Sequence, residues 1–121
     1  MLATGIIWGI WHAPVIVQGH NYPGHPWIGI PMMVVVTSLL NVLLVWCRVR
    51  SGSIWAPALA HGGINALAGL GGLLFSNIDS RIGPPVGLVA WIPAALLAGW
   101  LLRRWPGGDD PVSPQSSASA P

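Results

Sequence analysis

The chain has 121 residues, of which 53% are hydrophobic and 7% charged, and its formal net charge is +2. A mean hydropathy of +0.64 and long apolar runs exclude an ordinary soluble domain and predict an all-α, polytopic membrane protein with about four transmembrane helices. The small positive charge bears on membrane orientation and does not indicate nucleic-acid binding. Because Cys47 is the single cysteine, an internal disulfide and a multi-cysteine zinc site are excluded.

Four apolar runs divide the chain. The first extends from residue 1 to about 18, and Pro14 predicts a kink or an early helix end just past His12, since proline disfavours helical geometry in the residue before it. The other runs cover residues 28 to about 47, 54 to about 75, and 86 to 102. We therefore expect one membrane domain over residues 1–105 and a disordered tail over residues 106–121, which are rich in Ser, Pro, Gly and Ala.

The third run carries two polar side chains in apolar surroundings. His61 and Asn65 are four residues apart and therefore share one helix face. A polar side chain inside a membrane is costly and indicates a functional site, and His12 is the expected polar neighbour of His61. A stripe of small residues at the same spacing predicts close approach of another helix: Ala58, Gly62 and Ala66.

Other polar residues in the chain have simpler interpretations. Hydrogen bonds between helices are expected from three polar residues of the second run: Thr37, Ser38 and Asn41. His20 and His25 lie in a loop rich in Gly, Pro and Asn, where a metal pair is disfavoured because no third ligand is nearby. Tyr22 and Trp27 in that loop, and Trp91 further on, are expected to lie at the membrane interface.

The arginines predict the topology. Two arginines follow the second apolar run and two follow the fourth: Arg48, Arg50, Arg103 and Arg104. Two crossings separate the pairs, so both lie on one side, which is the cytoplasm by the positive-inside rule. We expect an integral protein of a bacterial cell membrane with a cytoplasmic C-terminal tail and an external loop 19–27. The first and third helices then run parallel, which brings His12 and His61 to similar depths.

Two segments resemble motifs of a known family. WGIWHAP, in which three residues separate Trp8 from His12, and SGSIWAPALAHGGIN, in which three residues separate His61 from Asn65, are similar to the second and third motifs of the CPBP intramembrane proteases. This group includes the CAAX prenyl proteases and the bacteriocin-processing Abi proteins. The resemblance covers residues 1 to about 70, with Trp8 standing where phenylalanine is usual.

The resemblance implies an intramembrane metalloprotease that hydrolyses a peptide or a membrane-protein substrate. His12, His61 and Asn65 would be catalytic. His12 and His61 would either bind a zinc ion or orient the attacking water directly, and Asn65 would hydrogen-bond the developing oxyanion. Trp8 would form a wall of the substrate pocket.

One motif of the family is absent. Its first motif is a Glu-Glu pair followed by three residues and an arginine, and this sequence contains no glutamate. In the family that glutamate activates the water, so we expect the chain alone to be inactive. Two interpretations are open: an N-terminally incomplete protease, or a non-catalytic membrane remnant such as an immunity-type protein.

Overall fold

A computed structural model describes residues 1–75 and 77–105. The helices in this part of the chain are α1 (Leu2–Trp11), α2 (Ala13–Val17), α3 (Pro26–Ser51), α4 (Trp55–Leu74) and α5 (Leu88–Arg103). Within the described ranges there is no strand, which confirms the all-α class. The predicted disordered tail over residues 106–121 lies outside the described residues.

The predicted break after the first motif occurs at His12, where α1 ends and α2 begins. Pro14 lies in the first turn of α2, a position that proline tolerates because its missing N–H has no helical partner there. Because α1 and α2 together form one bent helix, the described chain contains four helices. His12 lies at the junction between α1 and α2.

Helix α3 is the centre of the bundle. α1, α4 and α5 each pack against it, whereas no Cα atom of α1 comes within 8 Å of a Cα atom of α4 among the described residues. With 26 residues and high hydropathy, α3 is long and apolar enough to cross a membrane. The bent first helix and α5 are apolar but shorter, and α4 has the length of a span but carries His61, Asn65 and several glycines.

The contacts along α3 fix the helix directions. The Asn41 side chain donates a hydrogen bond of 2.7 Å to the Met1 carbonyl oxygen, whereas Gly9, later in α1, packs on Val34, earlier in α3. α1 is therefore antiparallel to α3. α4 turns back after Gly52, which has a left-handed φ of 65°, and packs on α3 as well. The first and third predicted helices thus run in the same direction, as expected.

The close helix contact is made by glycines that the sequence interpretation did not single out. A Cβ atom on Gly5 would lie 2.6 Å from the Ser38 Cα, and a Cβ atom on Gly9 would collide with the Val34 Cα. The Thr37 hydroxyl lies within hydrogen-bond distance of the Gly5 carbonyl oxygen, at 2.9 Å, and of the Met33 carbonyl oxygen of its own helix, at 2.7 Å. The predicted bond between helices is confirmed for Asn41, and Thr37 is placed to share its single hydrogen between the two helices. Gly5 and Gly9 form a GxxxG pair that lets two backbones touch.

The small-residue stripe on α4 is a correction to the sequence interpretation. The stripe residues Ala58, Gly62 and Ala66 are exposed, and a Cβ atom on Gly62 would meet no atom within 4 Å. Spacing alone did not distinguish this stripe from the one that α1 uses. Ser38 also differs from expectation, because its hydroxyl donates to Val34 of its own helix at 2.7 Å.

Large apolar side chains cover the outer surface of the bundle. Leu59 is 74% exposed, Leu73 78% and Leu96 71%. A water-soluble monomer rarely exposes so much contiguous apolar surface, whereas lipid tails solvate it. The outer surface therefore agrees with the helical membrane class.

Tyr22 links the loop before α3 to the loop before α5. Its hydroxyl donates to the Val86 carbonyl oxygen at 2.8 Å, and the Trp91 indole N–H donates to the same oxygen at 3.1 Å. Tyr22 is fully buried, so its ring packs within the protein instead of on its surface, and burial raises the pKa of its hydroxyl. Gly29 makes room for this ring, because a Cβ atom there would lie 2.6 Å from the Tyr22 Cβ.

We predict that Tyr22→Phe lowers the free energy of unfolding by about 1 kcal/mol, the usual net contribution of one hydrogen bond. The loss stays small because the Val86 carbonyl oxygen keeps the Trp91 donor. Unfolding in detergent measures the difference, and Tyr22→Ala, which also empties the buried site, should cost several times more. Equal stability of the Phe variant and the parent protein would contradict the role of the hydroxyl.

Candidate functional site

Trp8 of α1 lies against both histidines of the predicted site. Its ring centroid is 5.1 Å from that of His61, with an edge-on interplanar angle of 77°, and 6.1 Å from that of His12, at 55°. The indole therefore fills the gap that separates the backbones of α1 and α4. Both imidazoles lie beside one aromatic side chain and are half-buried.

The orientation of His12 is set by its own helix. Its Nδ1 lies 2.7 Å from the carbonyl oxygen of Trp8, four residues earlier. Because a carbonyl oxygen only accepts, Nδ1 is the donor, and a neutral His12 then carries its free lone pair on Nε2. The Trp11 ring packs edge-on at 5.4 Å. His12 thus has one nitrogen occupied and one available for a water molecule or another ligand.

A cleft of about 910 Å³ is lined by His12 and Asn65, whereas His61 is not among its lining residues. His12 lines it from the junction of α1 and α2, and Asn65 lines it from α4. The α4 wall continues with small residues on the same helix face: Ala68, Gly69 and Gly72. The opposite wall and the mouth come from the two loops, and their polar lining residues are His20, Asn21, His25, Asn77, Asp79 and Ser80.

Asp79 is the carboxylate nearest to the site in the described part of the chain, and it is engaged elsewhere. Arg81 Nε lies 3.0 and 3.1 Å from its two oxygens, and the Arg81 backbone N–H donates at 2.9 Å. These hydrogen bonds hold the pKa of Asp79 well below its usual range. A carboxylate held this way is a weak proton acceptor, so Asp79 does not replace the missing glutamate.

The donors present do not complete a catalytic zinc site. Among residues 1–75 and 77–105, no three His, Cys, Asp or Glu side chains are grouped for metal binding. His12 and His61 offer two nitrogens where a catalytic zinc normally has three protein ligands. We therefore derive no step through a metal ion from these residues.

The comparisons with known proteins bear on the segment that carries this geometry. Residues 1–67 match the family model described as type II CAAX prenyl endopeptidase Rce1-like. The chain belongs to this Rce1-like family. The match covers Trp8, His12, His61 and Asn65, and so includes every residue predicted for the site. Neither the curated proteins nor the solved structures gave a match.

The structure adds surroundings that sequence reasoning missed. His20 and His25 line the same cleft as His12, and Asp79 reaches its mouth from the second loop. The only sequence signal for this was a cluster of polar residues in each of two loops on the same side of the predicted bundle. The catalytic and metal-binding roles of His12 and His61, the catalytic role of Asn65, and Trp8 as a pocket wall stay predictions.

Proposed function

We propose that this chain carries the histidine–asparagine half of an intramembrane endopeptidase. The observation that carries the proposal is that the two motifs lie next to one another in the folded chain. Trp8 contacts His61 across the gap between helices, and His12 and Asn65 line one cleft. One polar residue from each motif thus lines a space large enough for a segment of peptide, and His61 is linked to it through Trp8.

The roles of the residues follow from their chemistry. Nε2 of His12 accepts a hydrogen bond from the attacking water and orients it beside His61. The water oxygen attacks the peptide carbonyl carbon, and its proton passes to a carboxylate and then to the departing amine nitrogen. The Asn65 amide N–H donates to the oxyanion that forms. In this proposal a glutamate of a preceding helix supplies the carboxylate, since residues 1–121 contain no glutamate and Arg81 holds Asp79.

The deciding experiment compares two forms of the protein on a membrane-tethered reporter peptide. The 121-residue chain should not cleave it, whereas a form extended by a preceding helix with Glu-Glu-x-x-x-Arg should. In that form His12→Ala and His61→Ala should each abolish cleavage. Turnover by the unextended chain that His61→Ala removes would show that no glutamate is needed. Inactivity of a correctly inserted extended form would favour the non-catalytic alternative, an immunity-type membrane protein.

For the membrane orientation, we propose a cytoplasmic C-terminus in a bacterial cell membrane. Support comes from charge placement. α3 and α5 begin at the end where Tyr22 bonds Val86, and they pack against one another. Their arginine-bearing ends therefore lie together at the opposite end, and the positive-inside rule assigns that end to the cytoplasm.

A further inference from the structure

The mouth of the cleft lies at the end of the molecule away from the arginine clusters. The loops that line the mouth precede α3 and α5, and these helices end in the clusters. At the cleft end the one arginine, Arg81, is paired with Asp79, so the excess of positive charge lies entirely at the other end: Arg48, Arg50, Arg103 and Arg104.

We propose that the protein takes its substrate from the outer side of the membrane, as an extended peptide segment laid along the cleft face of α4. The term substrate in this proposal rests on the proposed peptidase function. The position and accessibility of the cleft do not depend on catalysis. A peptide on the cytoplasmic side would face the arginine end and not the cleft mouth.

The α4 wall suits an extended backbone. Cβ atoms on Gly69 would meet nothing within 4 Å, and those on Gly72 likewise, so neither residue obstructs the cleft. From Asn65 to Gly72 the helix rises about 10 Å at ~1.5 Å per residue. That length accommodates roughly three residues of extended chain at ~3.3 Å each. A peptide bond can thus reach Asn65 while the preceding residues lie on the small-residue face.

The rim of the mouth indicates which flanking residues the segment carries. His20, His25, Asn77 and Ser80 line it with groups that donate and accept hydrogen bonds. Asp79 and Arg81 neutralise one another, so the ion pair offers no net charge for selection. These features fit a polar, weakly charged flank outside the membrane, followed by the segment to be cleaved.

Cysteine labelling in intact bacterial cells tests this proposal without any catalytic step. In a Cys47→Ala background, His12→Cys and, separately, Asn65→Cys place a thiol in the cleft. A membrane-impermeant maleimide added outside the cells should label both variants. Ser51→Cys, which is exposed at the arginine end, should react only after the cells are permeabilised. External labelling of Ser51→Cys together with protection of both cleft thiols would overturn the proposal.

A matched pair of substitutions tests the route through the cleft. Gly69→Leu fills the cleft beside Asn65, and Gly63→Leu adds the same side chain on the opposite face of α4, where a Cβ atom also meets nothing within 4 Å. Gly69→Leu should slow external labelling of His12→Cys several-fold, while Gly63→Leu should leave the rate unchanged. Equal rates in both variants would show that the thiol is reached by another path.

Reporter cleavage then separates this proposal from the proposed function. In the glutamate-extended form, a reporter tethered outside should be cut and one tethered inside should not. Cleavage of the inner reporter alone would overturn the outer-side proposal and leave the peptidase function standing. If labelling behaves as expected and neither reporter is cut, the outward cleft stands and the peptidase function fails.

Discussion

Asn65→Ala should lower reporter cleavage by about 100-fold or more in the glutamate-extended protein, the usual effect of removing one oxyanion donor. The loss should fall on kcat more than on KM, because the amide N–H meets the charged oxygen only as the tetrahedral intermediate forms. Asn65 is exposed to the cleft, so its removal leaves no buried group unpaired. The free energy of unfolding in detergent should therefore change little.

Asn41 provides the matched control, because it is the same residue type within a neighbouring helix. Its side chain is buried and donates to the Met1 carbonyl oxygen. Asn41→Ala should lower the free energy of unfolding by about 1 kcal/mol, since one hydrogen bond is lost while the Met1 carbonyl oxygen keeps the Gly5 N–H as donor, and should leave kcat of the folded protein nearly unchanged. If Asn65→Ala lowers stability and spares kcat, Asn65 is a structural residue and the oxyanion role is wrong.

The helical class and the approximate extent of each helix could be predicted because apolar runs and Pro14 act locally. The predicted second run, residues 28 to about 47, lies within α3, which extends to Ser51. The parallel course of α1 and α4 also followed from counting crossings. The position of Tyr22 did not follow, because its burial depends on a contact with Val86, 64 residues away, and local sequence carries no sign of that distance.

The site shows the same division between local and distant information. His12, His61 and Asn65 were identified because their spacing repeats a family motif, and residues 1–67 match that family. The orientation of the His12 ring depends on the carbonyl oxygen of Trp8, and the cleft mouth depends on two loops that meet only in the folded chain. Neither the His20 and His25 lining nor the Asp79–Arg81 pair at the mouth is implied by periodicity.

Small residues show why spacing alone is an incomplete guide to packing. Gly5 and Gly9 and the stripe on α4 have the same four-residue interval, yet only the first pair meets a helix in the described chain. The difference lies in the neighbours: the Thr37 hydroxyl lies 2.9 Å from the Gly5 carbonyl oxygen, and Asn41 donates to the Met1 carbonyl oxygen at the start of α1. The polar partner on the second helix was visible in the sequence, but its pairing with Gly5 was not.

The largest effect on stability is expected from Gly9→Leu. Its Cβ atom would collide with the Val34 Cα, and a backbone atom yields only if α1 moves as a whole. Overpacking of this kind typically costs about 1–3 kcal/mol and more where the backbone is involved, so we expect a loss of ~3 kcal/mol in detergent unfolding. Because Trp8 and His12 lie on or beside the displaced helix, the contact of Trp8 with His61 should be lost too.

Gly62→Leu is the control for this substitution, because it places the same side chain on a helix face where no atom lies within 4 Å. It should change the free energy of unfolding by less than about 1 kcal/mol, and in the favourable direction, since leucine has the higher helix propensity. The free energy of unfolding of the Gly9→Ala variant should fall between those of the two leucine variants, because its single methyl group already meets the Val34 backbone. A Gly9→Leu variant as stable as Gly62→Leu would mean that α1 does not pack on α3 through this glycine pair. The antiparallel contact that positions Trp8 between the two histidines would then be wrong.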